Sequence, residues 1–244
     1  MTTSLAGAVQ ISGQDVNTTS STQQMTLGAY AETPDGRGYR YCLNGAVSTV
    51  PGKVYVSAAW DSTNQAPVGG LAVAAPAAIG ATSVSVTVTT LAANLMAGGY
   101  LSVAITPGQG YLYKIKGNTV AATTSTITLE DPLVVALTTS SKVVFVKHAY
   151  DSIIVSPGGA STGAPVGVAS TIITNAQYGW IQTYGPASVL SGVATSISLP
   201  GVPVTVSAST AGSVIVSTAI LPTIGWAMQL FTATEYDIIY LTIH

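Results

Sequence analysis

Charged residues are scarce in this sequence. They make up 7% of its 244 residues, with seven Lys and Arg against nine Asp and Glu, whereas about 25% is usual in soluble domains. Seven scattered basic residues cannot neutralise a run of phosphates, which excludes a nucleic-acid-binding surface. Because a free monomer with few surface charges is poorly protected against association, we expect partners to cover much of the surface.

Cysteine and long apolar runs are also nearly missing. The one cysteine, Cys42, has no partner for an internal disulfide, and we expect it to be a buried small hydrophobe. The mean hydropathy is positive, +0.49, but Gly, Pro, Ser and Thr interrupt every apolar run before the ~18 residues that a membrane-spanning helix needs. Residues 1–14 have neither a basic region nor an apolar region, so we expect no secretory signal and no membrane contact.

Metal and cofactor sites are not expected either. A zinc site needs three or four converging ligands, and the chain offers only Cys42 and one internal histidine, His148. The glycines of Gly108-Gln109-Gly110 lack the spacing of a phosphate-binding loop and precede a strand-like run, not a helix. The sequence therefore predicts no metal ligands and no bound cofactor.

One motif matches the nucleophile motif of serine hydrolases. The run Gly159–Gly163 matches G-x-S-x-G with Ser161 as nucleophile, and Glu235 or Asp237 followed by His244 completes the chain order of a catalytic triad. That mechanism needs the serine on a turn between a strand and a helix, but prolines bracket the motif and no helical pattern follows. We therefore predict no catalytic residues and no enzyme.

The sequence is dominated by strand patterns. Hydroxyl side chains and valine alternate strictly at Ser83–Val88, which is typical of a half-buried strand. Further runs of strand length recur about every ten residues, separated by Gly, Pro, Asn or Asp, as in sandwiches and barrels. The best helix candidate, Leu91–Ala97, is only about two turns long. We predict an all-β protein of two small sandwich or barrel units, with at most one or two short helices.

Three segments follow from this pattern. Residues 1–60 are predicted to form an N-terminal arm, loosely held over residues 1–27, and a hairpin that turns at Pro34-Asp35-Gly36. Residues 61–157 and 158–244 are predicted to form the two units. The loop rich in small residues at Ser156–Ala164 is the expected linker between them.

The second unit contains the most distinctive stretch, Pro165–Leu190. Its Gly179 lies between two aromatic residues and predicts a bulge or a close backbone approach, and Gly185-Pro186 predicts a break. The last strand, from Tyr236 onward, is apolar on both alternating faces, so we expect it to be central or covered on both sides.

Two runs of this chain resemble a known family. They cover residues 97–157 and 165–190. The most specific parts of the resemblance are QYGWIQTYGPASVL at Gln177–Leu190 and, later in the chain, IGWAM at Ile224–Met228. They resemble virion structural proteins of tailed bacteriophages, of the decoration or cement type that lies on the outside of the capsid. The resemblance extends over roughly residues 97–244.

This resemblance implies a non-enzymatic protein, made in the host cytoplasm, that binds the major capsid protein lattice on the outer surface of the virion. It also implies self-association, commonly as a homotrimer, and stabilisation of the shell. Aromatic residues commonly anchor interfaces, so the expected contact residues are Tyr30, Tyr39, Tyr41, Tyr178, Trp180, Tyr184 and Trp226. The alternative is a receptor- or glycan-binding head or tail fibre module, which Trp180 and Tyr184 in an exposed groove would favour.

Overall fold

The computed structural model describes residues 9–65, 69–192, 199–217 and 222–243. In these residues the chain forms two sheets and one short 3-10 helix at Asp15–Asn17. The prediction of an all-β protein with at most one or two short helices is therefore confirmed. Within the same residues, no helix has the length and apolar character that a membrane span requires.

The strands are numbered here in chain order. The first group is β1 Val9–Gln10, β2 Tyr30–Glu32, β3 Gly38–Leu43 and β4 Val54–Val56. The second group is β5 Leu71–Ala72, β6 Ser83–Thr87, β7 Tyr100–Ile105, β8 Leu112–Asn118, β9 Thr124–Leu129 and β10 Lys142–Val146. The third group is β11 Ile154–Val155, β12 Pro165–Val168, β13 Tyr178–Leu190, β14 Pro203–Val206, β15 Val214–Val216, β16 Gly225–Ala227 and β17 Tyr236–Thr242.

The chain divides into two compact units. The major unit combines Met1–Ala59 with Ala149–His244, and the inserted unit is Trp60–His148. This division differs from the predicted 1–60, 61–157 and 158–244. The reason is strand pairing: β3 pairs with β13, and β4 pairs with β11 and β12. The N-terminal segment thus shares one sheet with the last third of the chain.

The long strand β13 organises the major unit, in a sheet ordered β1-β2-β3-β13-β17-β16-β14-β15. Side chains alternate across a strand, and β13 uses both faces. Trp180 enters one core cluster, Ile181 enters a second, and Ala187 and Val189 enter a third. One strand therefore connects the three cores of this unit.

Two expectations about β13 need correction. The predicted break at Gly185-Pro186 is wrong, because the strand continues to Leu190 and pairs there with β17. The irregularity lies between Gln182 and Tyr184, where the register with β3 shifts. Gly179 is regularly paired, and a Cβ placed on it would lie 2.8 Å from the Ile173 Cδ1 atom. Its close neighbour is a core side chain and not another backbone.

The inserted unit is a small barrel-like sheet. Its strands follow the order β5-β10-β7-β8-β9-β6, and the bridge between Val73 and Val86 brings the chain after β5 back to β6. The alternating pattern at Ser83–Thr87 is confirmed, since Val84 and Val86 are buried and the residues at both ends are exposed. Alternate residues of the other strands fill the same core.

The predicted helix at Leu91–Ala97 is wrong, because this segment forms turns. Leu91 makes a bridge with Ala121. The buried Asn118 amide donates to the Ala92 carbonyl at 2.8 Å and accepts from the Met96 N–H at 2.9 Å. These side-chain hydrogen bonds replace the ones that a helix would have made.

The N-terminal hairpin is confirmed, with β2 and β3 antiparallel on either side of the predicted turn. Residues 1–8 of the predicted arm lie outside the described residues. The described part is not loosely held: β1 pairs with β2, Ser20 bridges Tyr178, and Val16 packs against Tyr39 and Trp180. Apolar contacts with the aromatic cluster therefore hold this segment.

Ser156–Ala164 is a loop within the major unit and not a linker between units. Ser156 is buried and accepts a hydrogen bond from the Gly212 N–H at 2.9 Å. At its other end, the Ala164 carbonyl accepts from Ser57 N–H, also at 2.9 Å. Both ends are thus hydrogen-bonded to residues that flank strands of one sheet, Gly212 before β15 and Ser57 after β4.

The last strand, β17, is central but covered on one face only. It pairs with β13 on one side and β16 on the other. Ile239 and Leu241 are fully buried, whereas Tyr236 and Ile238 are exposed by 52% and 43%. The expectation that this strand is central or covered on both sides is therefore confirmed by its central position, while in the described part of the chain its second face stays partly exposed.

Candidate functional site

Three of the seven expected contact residues are core residues of the major unit. Tyr39, Tyr41 and Trp180 are buried and pack with Val16 and Ala31 in one cluster. The rings of Tyr41 and Trp180 meet edge to face, with centroids 5.2 Å apart, a favourable arrangement for aromatic pairs. As folded, these three side chains are not available to another chain, and Trp180 does not line an exposed groove.

Three others are half-buried in ring contacts. Tyr178 lies parallel to Tyr41 with a centroid separation of 6.0 Å. Tyr184 meets Tyr240 at a steep angle, with centroids 5.3 Å apart. Tyr30 is also half-buried, and burial raises the pKa of its hydroxyl. These residues lie between core and surface.

Only Trp226 is strongly exposed, at 46%, and it belongs to an apolar face. It lies on β16 directly opposite Tyr240 of β17, so the two side chains share one face of the sheet. Met228 follows on the same side, exposed by 47%, and its N–H donates to the Ile238 carbonyl at 3.0 Å. We call Trp226, Met228, Ile238 and Tyr240 the apolar face.

The neighbouring positions on this face are uncharged. Pro203 lies opposite Trp226 on β14, while Pro186 and Ser188 of β13 lie opposite Tyr240 and Ile238. The one acidic residue of β17, Asp237, points to the core side, where its Oδ1 accepts from Gln229 Nε2 at 3.0 Å. Strand alternation thus removes the only charge of β17 from the apolar face.

A polar groove of about 410 Å³ lies beside this face in the major unit. It forms where β13, the start of β17, the turn before β4 and the residues after β12 come together. Both charged and hydroxyl-bearing side chains reach it. Its principal lining residues are Arg37, Gly52, Ser170, Gln182, Ser188 and Tyr236.

The hydrolase-like motif lies in the loop before β12. The Ser161 hydroxyl donates to the Gly163 carbonyl at 2.7 Å, and the chain continues into a strand at Pro165. His244 lies outside the described residues. In the part of the chain that the structure describes, no three His, Cys, Asp or Glu side chains are grouped so as to hold a metal ion.

Cys42 is fully buried, as expected for a small hydrophobe. It packs with Tyr55, Ile173 and Ile181 in the second core cluster. Burial raises the pKa of the thiol to about 12, because a thiolate would lose its hydration there. The thiol is therefore protonated and unreactive at neutral pH.

No protein-family model, curated protein or solved structure matches this chain.

Sequence reasoning missed the polar groove and most of the apolar face. The groove joins Arg37, Ser170, Gln182 and Tyr236, which are far apart in sequence and form no motif. The apolar face did have a signal, namely the apolar residues on both alternating sides of β17. That pattern predicts two apolar faces, but it does not indicate which one the chain itself covers.

Proposed function

We propose that this protein is a non-enzymatic structural protein of a tailed-bacteriophage virion, which binds the outer surface of the assembled capsid and stabilises it. The observation that carries the proposal is the apolar face of Trp226, Met228, Ile238 and Tyr240. Three of these side chains are exposed by 43–47%: Trp226 on β16, Met228 directly after β16, and Ile238 on the adjacent strand β17. Contiguous exposed apolar patches commonly mark sites of protein interaction.

The composition of the apolar face supports a protein partner. Trp and Tyr are enriched among the residues that dominate binding energy, and Met is enriched in interfaces. Charged residues are depleted at interface centres, and the positions that flank this face are proline and serine. A partner surface that is itself apolar would therefore bury the face without leaving a charge unpaired.

The resemblance to phage decoration proteins supports the choice of partner. Its two most specific stretches, Gln177–Leu190 and Ile224–Met228, contain β13 and β16. Both strands pair with β17. The stretches that carry the resemblance thus include Trp226 and Met228 of the apolar face, and Pro186 and Ser188 beside it.

A decoration protein must distinguish the assembled shell from free capsid subunits. In our proposal the apolar face binds a composite surface formed between neighbouring subunits of the major capsid protein. The protein acts as a homotrimer, so that once one copy has bound, the others bind with a high effective concentration. Weak contacts by each copy then add up to stable attachment.

Co-sedimentation with undecorated capsid shells tests the proposal. We expect the protein to sediment with shells and not with free capsid subunits, and its own sedimentation mass to be that of a trimer. Ile238→Lys puts a charge into the apolar face and should weaken shell binding at least about tenfold, since each 1.4 kcal/mol is a factor of ten. The matched control is Leu112→Lys, at a strand residue of the inserted unit that is 62% exposed.

Two results would contradict the proposal. If the wild-type protein does not bind shells, the decoration function is excluded. If Ile238→Lys loses the trimer but still sediments with shells, the apolar face belongs to self-association and does not contact the capsid. Circular dichroism of each variant confirms that it is folded.

A further inference from the structure

The polar groove has hydrogen-bonding groups that the fold leaves unused. The Gln182 amide nitrogen donates to the Tyr184 and Pro186 carbonyls, at 3.1 and 2.8 Å, which fixes its orientation. Its amide oxygen accepts no hydrogen bond from the described residues. The Ser170 hydroxyl is shielded from solvent and likewise has no partner there, although buried polar groups are normally paired.

The same groove contains further donors and acceptors. The Ser188 side chain lies on its exposed side, between two positions of β13 that point to the core. Arg37 donates from Nε to the Asp35 carboxylate at 2.8 Å, and a guanidinium carries five N–H groups in all. The groove thus offers the Ser188 hydroxyl, an amide oxygen and guanidinium N–H groups within one small volume.

An aromatic ring forms one wall of the groove. Tyr236 is 52% exposed, and its ring lies against Gly52, where an added Cβ would be 2.5 Å from the Tyr236 Cε1 atom. Gly52 also has a φ of +78°, a conformation that glycine adopts without strain. A glycine at this position therefore lets the ring approach the backbone closely beside the polar groups.

We propose that this groove binds a saccharide. A sugar presents hydroxyls that both donate and accept, and its ring has an apolar face of C–H groups. The Gln182 amide oxygen, the Ser188 hydroxyl and the Arg37 guanidinium match the first property, and the exposed Tyr236 ring matches the second. The volume of about 410 Å³ lies within the range of about 300–1,000 Å³ that is typical of small-ligand sites.

The saccharide proposal is independent of capsid binding, because the free protein is sufficient to test it. The full-length protein is titrated with glucose, N-acetylglucosamine and glucuronic acid, each followed by NMR. We expect at least one sugar to shift the resonances of Ser188 and the Tyr236 ring, with a dissociation constant of about 1–10 mM. Acetate tests whether the carboxylate of glucuronic acid is bound by itself, and cyclohexanol tests whether an apolar ring is bound by itself.

Tyr236→Ala should weaken binding of that sugar at least about tenfold. Its matched control is Tyr100→Ala, because Tyr100 is 44% exposed and begins β7 as Tyr236 begins β17. The control should bind the sugar within about twofold of wild type. Thermal unfolding of both variants verifies that each is folded.

Three outcomes would overturn the proposal. One is the absence of shifts with all three sugars at about 100 mM. Another is an equal response to acetate or cyclohexanol, which would show that the groove recognises a carboxylate or an apolar ring and not a sugar. The third is sugar binding by a folded Tyr236→Ala that equals that of wild type.

Discussion

Trp226 on β16 and Tyr240 on β17 lie directly opposite each other, on the face of the sheet that points away from the core. Their chain neighbours Ala227 and Ile239 form the next pair and are buried. These two adjacent strands therefore carry apolar side chains on both faces. Within the described chain only one of those faces is core, and the other is partly exposed.

The two tryptophans of the major unit should differ sharply in their effect on stability. Trp180→Ala removes a buried ring that contacts Tyr41 and should lower the free energy of unfolding by about 3–5 kcal/mol. Trp226→Ala removes an exposed ring and should cost at most about 1 kcal/mol. Urea unfolding followed by circular dichroism measures both. Equal losses would mean that Trp226 also supports the core.

Gly225 should tolerate no side chain. A Cβ there would overlap the backbone carbonyl oxygen of Tyr240, which cannot move without separating β16 from β17. Gly225→Ala should therefore destabilise the protein by about 1–3 kcal/mol. Gly159→Ala is the control, because nothing lies within 4 Å of its added Cβ. The control should unfold within about 0.5 kcal/mol of wild type, and a similar shift in both variants would contradict the prediction.

Gln182 should stabilise the irregular part of β13. Its amide nitrogen donates to the carbonyls of Tyr184 and Pro186, next to the register shift. Gln182→Leu leaves both carbonyls without this donor and should cost about 1–3 kcal/mol in the free energy of unfolding. Gln109→Leu, at an exposed loop residue of the inserted unit, is the control. An unchanged urea midpoint for Gln182→Leu would show that water replaces the amide.

Cys42 should make stability fall at alkaline pH. Burial raises the pKa of the thiol to about 12 in the folded protein, against about 8.5 in an unfolded chain. Because the folded pKa is the higher one, this stabilisation is complete below about pH 8.5 and is lost as pH rises toward about 12. Within that window each pH unit costs up to about 1.4 kcal/mol from this group.

The comparison with Cys42→Ala isolates that contribution. The variant retains the buried tyrosines Tyr39 and Tyr55, whose pKa values are also raised by burial. Its unfolding free energy should therefore decline less steeply than that of wild type between about pH 8.5 and 10.5. Urea midpoints at several pH values measure both slopes. Parallel curves would show that the thiol ionises equally in both states.

The strands were the most predictable part of the fold. Alternation at Ser83–Thr87 and the turn at Pro34-Asp35-Gly36 depend on neighbouring residues, and both predictions are confirmed. The helix predicted at Leu91–Ala97 was wrong because the distant Asn118 takes its backbone hydrogen bonds. Patterns over a few residues indicate what a segment prefers, but they do not show which distant side chain competes for its backbone.

The candidate sites were much less predictable. The sequence predicted seven aromatic contact residues. The fold buries six of them wholly or in part, and only Trp226 is strongly exposed. For the groove, the sequence placed Arg37, Gln182 and Tyr236 in separate segments. Ring type and strand alternation can be read from sequence, whereas exposure depends on what else packs nearby.

By itself, the sequence determined an all-β chain with few charges, a buried cysteine and strands bounded by Gly and Pro, because alternation and turn chemistry act over a few residues. The tertiary structure alone decided that β3 and β4 share a sheet with the last third of the chain. It also decided which face of β17 is core and which is surface. Both outcomes depend on contacts between residues far apart in the chain, and patterns over a few residues do not predict those contacts.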